Sequence, residues 1–302
     1  MSISIRAYRD PEDYAVVDRF LVELYEPDDT LANWLQPRWE YMHGHSNVDD
    51  VDLGSIGIAE TTDGTVLGVV HPEHSPTSCY LQLRADHAGV KPMLVDWAEN
   101  HMGGWSQSLG RNILGFYVED TDTELQAIVG ERGFVASPEW GEHHARMRLD
   151  GPLPEPSLPD GFRLQSLAED NDLAKVNRVL WRGFNHEGPP PDDVIPSRAR
   201  AQQTPNYRPD LNVVAVAPDG SYASYAGIWF VPENLVAYVE PVATDPDYRR
   251  MGLGKAAVLE TLRRAKGLGA NIAWVGSDQE FYVDMGFEVM AHSTLWYRYL
   301  DG

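Results

Sequence analysis

The residues Arg249-Arg250-Met251-Gly252-Leu253-Gly254-Lys255 have types and spacing suited to holding an anion. They open a segment in which Leu253, Ala257, Val258, Leu262, Ala265 and Leu268 recur at three- and four-residue spacing. That pattern reads as a helix with one buried face. The first N–H groups of a helix have no partner inside it, and the helix dipole is positive at that end. Gly252 and Gly254 carry no Cβ, so a bulky phosphate group can approach those N–H groups closely. Arg249 and Arg250 add cationic donors. The chemistry implied is phosphate or pyrophosphate binding.

The flanking sequence supplies elements to position this loop. Leu235 to Thr244 is an apolar run that reads as a strand leading into it, interrupted by one carboxylate, Glu240. Pro241 follows; it has no N–H and disturbs regular strand pairing. After the helix, Gly267 and Gly269 suit its C-terminal end, and Asn271 to Gly276 reads as another strand. A short aromatic element, Phe281-Tyr282-Val283-Asp284-Met285, then closes on Gly286-Phe287.

A Thr-Asp-Pro strand end, an Arg-x-x-Gly-x-Gly loop, a strand and an aromatic element closing on Gly-Phe, in that order, resemble the acyl-CoA-binding core of the GNAT-type N-acetyltransferase superfamily. The resemblance implies an α/β fold with a mixed sheet, acetyl-CoA as co-substrate, and no metal. It implies that Arg249, Arg250, Met251, Gly252, Leu253, Gly254 and Lys255 hold the pyrophosphate. Val242, Ala243 and Thr244 would run alongside the pantetheine arm as a neighbouring strand would, and an N–H near Val242 could polarise the thioester carbonyl. An alkylamine has a pKa near about 10 and is mostly protonated at neutral pH. Glu240 is the candidate base for that proton, directly or through water. Tyr282 is the candidate acid for the departing thiolate. The plainer alternatives are a strand carboxylate facing solvent or an arginine, and an aromatic filling the core beside Phe281. A non-catalytic acyl-CoA sensor, or an enzyme acting on protein amines, would use the same loop.

The chain also repeats itself weakly. Asp13 to Leu21 aligns with Asp172 to Leu180, identical at five of nine positions, and Leu109-Gly110 aligns with Leu268-Gly269 at the same offset of 159 residues. Gly133-Phe134 aligns with Gly286-Phe287 at an offset of 153. Two copies of one fold follow: residues 1–150, a proline-rich linker over 151–161, and residues 162–302. At these offsets Gly252 and Gly254 correspond to Met93 and Val95, Arg249 to Val90, Glu240 to Leu81 and Tyr282 to Val129. The first copy is therefore expected to be degenerate, with packing positions kept and the chemistry lost. Tandem members of the superfamily, such as the mycothiol synthase-like bacterial acetyltransferases, are organised in this way.

Within each copy the local patterns predict elements. Asp172 caps a helix to about Phe184, and a short helix covers Ser197 to Gln203. Asn212–Ala217 and Tyr222–Val231 form a hairpin around Pro218-Asp219-Gly220. Two strands, Phe287–Ala291 and Thr294–Leu300, end the chain. In the first copy, strands are expected at Ile3–Tyr8, Ile56–Thr61 and Val66–Val70, with helices at Asp13–Leu24 and Leu31–Tyr41.

Lys plus Arg number 24 against 46 Asp plus Glu, for a net charge of −22. Such a surface disfavours nucleic acid and anionic membranes, and favours a cationic small-molecule amine as acceptor. A monomer or weak homodimer in the cytoplasm is expected. Cys79 is the only cysteine, which excludes an internal disulfide and suits a reducing compartment. The histidine pairs 43/45, 71/74 and 143/144 show no third ligand at a metal-binding spacing. Tyr225 and Trp229, on the hairpin strand beside the proposed cleft, are candidates for contact with the acceptor.

Overall fold

The computed structural model describes residues 2–27 and 31–300. The elements run β1 (Ile3–Ala7), α1 (Tyr14–Leu24), α2 (Gln36–Gly44), β2 (Gly57–Thr61), β3 (Val66–Pro72), β4 (Ser78–Leu83), α3 (Lys91–His101), β5 (Gly104–Ser106), β6 (Arg111–Glu119), α4 (Thr123–Glu131) and β7 (Val135–Arg148). They continue β8 (Arg163–Ser166), α5 (Leu173–Gly183), α6 (Ile195–Ala201), β9 (Asn212–Val216), β10 (Tyr222–Val231), β11 (Val236–Thr244), α7 (Leu253–Gly267), β12 (Ile272–Val275), α8 (Glu280–Val283) and β13 (Glu288–Tyr299).

The chain forms two compact units. The first comprises Met1–Met42, Asn47–His143 and Met290–Gly302, and the second His43–Ser46 and His144–Val289. In the first, β1 to β4 pair antiparallel in sequence order, β4 runs parallel to β6, and β6 pairs antiparallel with Ser293–Tyr299 of β13. In the second, β8 to β11 pair antiparallel in order, β11 runs parallel to β12, and β12 pairs antiparallel with Ala145–Arg148 of β7. The strand orders match, so the duplication read from the offsets extends to topology. Each unit, however, takes its last strand from the other half of the sequence. The compact units therefore do not coincide with the expected stretches 1–150 and 162–302. The end of the chain is also one strand, β13, where two were expected.

The repeat is visible in single bonds. Helices α1 and α5 begin at Tyr14 and Leu173, 159 residues apart. Phe134 N–H donates to the Val129 carbonyl, and Phe287 N–H to the Tyr282 carbonyl, each at 3.1 Å. Asp172 caps α5, its Oδ1 accepting from the N–H groups of Ala174 and Lys175 at 3.0 and 3.1 Å. Helix α2 starts at Gln36, later than the expected Leu31, and α6 starts two residues before the expected Ser197.

Helix α7 buries Leu253, Ala257, Val258, Leu262 and Ala265. Ala257, Val258, Leu262 and Ala265 join a core with Val213, Ala226, Ile228, Ala237, Val239 and Phe287, and Leu253 packs with Ala215, Ala217 and Ala223. Val176, Val179 and Leu180 of α5 pack with Val214, Tyr225 and Ala243 in a separate cluster. The proline-rich stretch is strapped to α7: Glu155 pairs with Arg263 at 2.7 Å, and Lys266 Nζ donates to the Gly151 carbonyl at 2.6 Å. Among the described residues, no helix is long and apolar enough to cross a membrane.

Candidate functional site

The pairing of β11 with β12 covers only Val236–Tyr238. Strand β10 stays paired with β11 as far as Thr244. From Val239 to Thr244 no strand is paired to the other edge of β11 among the described residues. The break coincides with a bulge: Ala226 faces Val242 and Ile228 faces Val239, so Gly227 alone stands against Glu240 and Pro241. Pro241 brings no N–H to the ladder at this point. The open edge carries Val242, Ala243 and Thr244 and leads directly to the loop.

Asp245 anchors that junction. Its side chain is fully buried and accepts from Arg178 Nη1 at 2.9 Å, from Arg182 Nε at 2.7 Å and Nη2 at 3.0 Å, and from the Asp247 N–H at 3.1 Å. Burial works to raise the Asp245 pKa, but the Arg182 bond, the Asp247 N–H and the two nearby positive charges more than offset it and hold the carboxyl below its ordinary value. After this anchor the backbone turns left-handed at Arg250 (φ 64°) and again at Gly252 (φ 79°).

Gly252 is the N-cap of α7, no side chain caps the helix, and its first turn contains no acid. A Cβ built on Gly252 meets nothing within 4 Å, so the space over the helix N-terminus is open. Gly254 has a different duty. A Cβ there would lie 2.9 Å from Thr244 Oγ1 and 3.5 Å from the Phe281 ring, so this glycine lets the helix pack against the end of β11. Arg250, Met251 and Lys255 are exposed at the loop, whereas Leu253 is buried in the core beneath it. Arg249 departs from expectation. Its guanidinium donates to the carbonyls of Thr244 (3.2 Å) and Gly183 (2.9 Å) and to Asn185 Oδ1 (2.8 Å). Through Nε and Nη2 it fastens the end of α5 to the end of β11.

Tyr282, on α8, is 7% exposed and packs edge-on against Phe281 and Phe287 at 4.9 and 5.8 Å between ring centres. Burial first, and then the negative charge of Glu240, push its pKa upward. The hydroxyl therefore keeps its proton at neutral pH, as an acid must. Glu240 is half-buried. It lies on β11 just beyond the last pair with β12, and its charge is felt at Tyr282. Tyr225 and Trp229 do not point polar atoms at a cleft. Tyr225 is 3% exposed and its hydroxyl donates to Asn212 Oδ1; Trp229 is 6% exposed and its indole N–H donates to the Glu240 carbonyl.

The corresponding region of the first unit is built differently. Helix α3 starts at Lys91, so Met93 and Val95 lie inside it and Val90 takes the N-cap position. The offset alignment thus slips by three residues, and the residue at the place of Gly252 is a right-handed valine (φ −84°). A cleft of about 460 Å³ remains, lined by Leu81, Leu83 and Tyr117 and by the carboxylates of Glu23, Glu26, Asp86, Glu119 and Asp122. Its cations are taken: Arg84 pairs with Glu23 at 2.8 Å and Lys91 with Asp122 at 2.7 Å. Cys79 is fully buried, burial pushes its thiol pKa well up, and its Sγ donates to the Gly115 carbonyl at 3.2 Å. Such a thiol is a poor nucleophile. Among the described residues, no group of three or more His, Cys, Asp or Glu side chains is arranged to hold a metal ion.

Comparison with known proteins agrees with this geometry. Residues 174–287 match the family described as Acetyltransferase (GNAT) family. A mycothiol acetyltransferase from Saccharomonospora viridis is 29% identical over 150 residues, which cover 45% of this chain and 49% of that protein; the match spans about half the relative's length. A GCN5-related N-acetyltransferase structure from Sphaerobacter thermophilus aligns over 98% of this chain and 95% of its own, with 16% identity and a TM-score of 0.65. A tandem GNAT protein from the clavulanic acid biosynthesis pathway aligns over 99% and 98%, with 15% identity and a TM-score of 0.63. The chain thus has the mixed α/β fold of tandem GNAT proteins along its whole length, and its residues 174–287 are similar to the GNAT acetyltransferase family.

Proposed function

We propose that the second unit transfers an acetyl group from acetyl-CoA to a primary amine by direct attack in a ternary complex. The observation that carries this reading is the open strand edge after Tyr238, which bears Glu240 and runs on to an uncapped helix N-terminus. The backbone N–H groups after Gly252, with Arg250 and Lys255, would take the pyrophosphate. The edge at Val242–Thr244 would pair with the pantetheine amides. Glu240 would take a proton from the attacking ammonium, directly or through a water. The amine nitrogen would then bond to the thioester carbon, the C–S bond would break, the thiolate would take the Tyr282 proton, and the second proton lost by the nitrogen as the amide forms would return, directly or through water, to the Tyr282 oxygen. An N–H near Val242 would stabilise the oxyanion. Arg249 is assigned to holding the site together and not to the phosphate.

The acceptor is proposed to be a small amine, with a cation favoured by the chain's net charge of −22. The first unit is proposed to carry no chemistry of its own. Calorimetric titration with acetyl-CoA, followed by a panel of amines with detection of released thiol, tests the reading. One site per chain and thiol release with an amine are expected. Binding without turnover on any amine, peptide N-termini included, would favour a sensor.

A further inference from the structure

Two residues of β10 converge on one atom, the backbone carbonyl oxygen of Glu240. The indole N–H of Trp229 donates to it at 3.1 Å. On the same strand, the backbone of Gly227 comes so near that a Cβ there would stand 2.7 Å from that oxygen and 3.2 Å from Pro241 Cδ. The bulge interrupts the ladder here, and the indole supplies a donor from a side chain. The indole is itself held: the Tyr207 ring meets it edge-on at 5.9 Å, and Trp229 is 6% exposed. On the other flank, Asn212 Oδ1 would lie 2.7 Å from a Gly227 Cβ and is fixed by the Tyr225 hydroxyl, while Asn212 Nδ2 donates to the Arg208 carbonyl at 2.8 Å. Gly227 thus has no room for a side chain between two fixed oxygens.

We propose that Trp229, with Gly227 giving the strand room, is the positioning residue for the Glu240 carboxylate. A bulge leaves the peptide of Glu240 with looser neighbours than a regular ladder would. The indole bond fixes that peptide, and with it the origin of the side chain that must meet the amine. A displacement of about 1 Å in a reacting group costs about 10²-fold in rate, so a tether on the backbone of the base has a kinetic consequence. The buried indole has its one donor committed to the chain, so Trp229 acts through Glu240 and not on the acceptor. This inference rests on Glu240 being the base.

Trp229→Phe removes the donor and keeps an aromatic ring. The expected result is a kcat about tenfold lower at neutral pH, with acetyl-CoA affinity and acceptor KM within about twofold of wild type. The deficit should shrink as pH rises and the amine deprotonates unaided, as for Glu240→Gln. The double variant Trp229→Phe/Glu240→Gln should be no slower than Glu240→Gln alone, because the group being positioned is gone. Gly227→Ala, whose Cβ would press on the same carbonyl, should reproduce the kcat loss and its pH dependence; if Trp229→Phe folds poorly, Trp229→Leu, which also removes the donor and keeps a buried apolar side chain, serves in its place. A wild-type kcat for both variants, alongside an impaired Glu240→Gln, would overturn the inference and leave the base in place. A raised acceptor KM with kcat unchanged would make Trp229 an acceptor contact instead. Wild-type turnover in Glu240→Gln would remove the base itself.

Discussion

The two units of this chain end their fourth strands in opposite ways. In the second, β11 leaves β12 after Tyr238 and its edge stays open to Thr244. In the first, β4 pairs with β6 only at Ser78 and Cys79, but the edge beyond is filled from within. Asn33 Oδ1 accepts the Leu83 N–H at 2.7 Å, and Asn33 Nδ2 donates to the Leu83 carbonyl at 3.1 Å. A single side-chain amide makes both bonds that a neighbouring strand would make, and Leu83 is the counterpart of Val242 at the repeat offset. Next to it the helix starts on a right-handed valine instead of a left-handed glycine. The apolar frame survives both changes. Sheet order and core packing are thus separable from the few backbone positions proposed to admit a pantetheine arm and a phosphate.

The sharpest way to break this contrast is Gly252→Val. The position has a φ of 79°, a region that a β-branched residue enters only with strain, and its Cβ would project into the open space over the helix N-terminus. Acetyl-CoA binding should disappear from calorimetric titration. The reverse change, Val90→Gly, should add no second site, because Leu83 stays engaged and the cleft stays lined by carboxylates. A stoichiometry near two in the wild type would refute the asymmetry.

The proposed catalytic pair gives the next largest effects. Glu240→Gln should cost about 10²–10⁴ in kcat at neutral pH and less at high pH, while Leu81→Glu at the matching place in the first unit should confer nothing. Tyr282→Phe should slow the chemical step by about 10² and leave acetyl-CoA affinity unchanged. The Tyr282 pKa lies above the ordinary value of about 10, so ionisation of this residue should not shape the pH–rate profile below that pH. An alkaline fall in rate near pH 8 that persists in Tyr282→Phe would come from another group. One that vanishes in the variant would contradict the raised pKa.

How much of this was legible in the sequence depends on how local each cause is. The helix after Gly252, the Asp172 cap and the hairpin across Pro218-Asp219-Gly220 follow from neighbouring residues, and the sequence shows them. The exchange of β7 and β13 is not legible, because both segments read as strands and only the assembled sheets decide which edge each one meets. The direction of a long side chain is equally non-local: Arg249 sits in a phosphate-loop pattern, yet its donors go to Gly183, Thr244 and Asn185. The three-residue slip at α3 escaped the offset because Asp86 and Leu94 keep their identities across it. Asn33 carried no signal, since an asparagine in a loop has many ordinary uses. Gly227 did carry one, as a glycine inside an apolar strand pattern marks a bulge or a close backbone approach.

The anchors beneath the two loops differ in charge and pH response. In the second unit Arg178 and Arg182 grip buried Asp245; at the repeat offset the first unit has Arg19, Glu23 and Asp86, with Glu23 paired to Arg19 and Arg84 and Asp86 exposed. Asp245→Asn should lower stability at pH 7 by about 2–3 kcal/mol, the scale of hydrogen bonds to a charged group, the partly exposed arginines limiting the loss. The sign follows from the depressed pKa of Asp245 in the folded state. Its contribution is fully present above the ordinary carboxylate value of about 3.9 and is lost as pH falls through the lower folded value. Urea unfolding at pH 7 and at pH 2 should therefore show the gap between wild type and variant narrowing in acid. An equal gap at both would assign the loss to packing.

The smallest expected effect tests the plug itself. Asn33→Ala removes both bonds to Leu83 and leaves a half-buried N–H and carbonyl at the edge of β4. The cost should be about 1–2 kcal/mol in stability, read from the urea midpoint, with turnover unchanged because the second unit is untouched. Acetyl-CoA stoichiometry is the more informative measurement. The plug is only one of two obstacles, the other being a helix start at Val90 that offers no left-handed loop to a pyrophosphate. Stoichiometry should stay at one in Asn33→Ala and in Asn33→Ala/Val90→Gly, since Glu23, Asp86, Glu119 and Asp122 still oppose an anion. A second equivalent in the single variant would make Asn33 the sole barrier. A second equivalent only in the double variant would divide the barrier between the strand edge and the helix start.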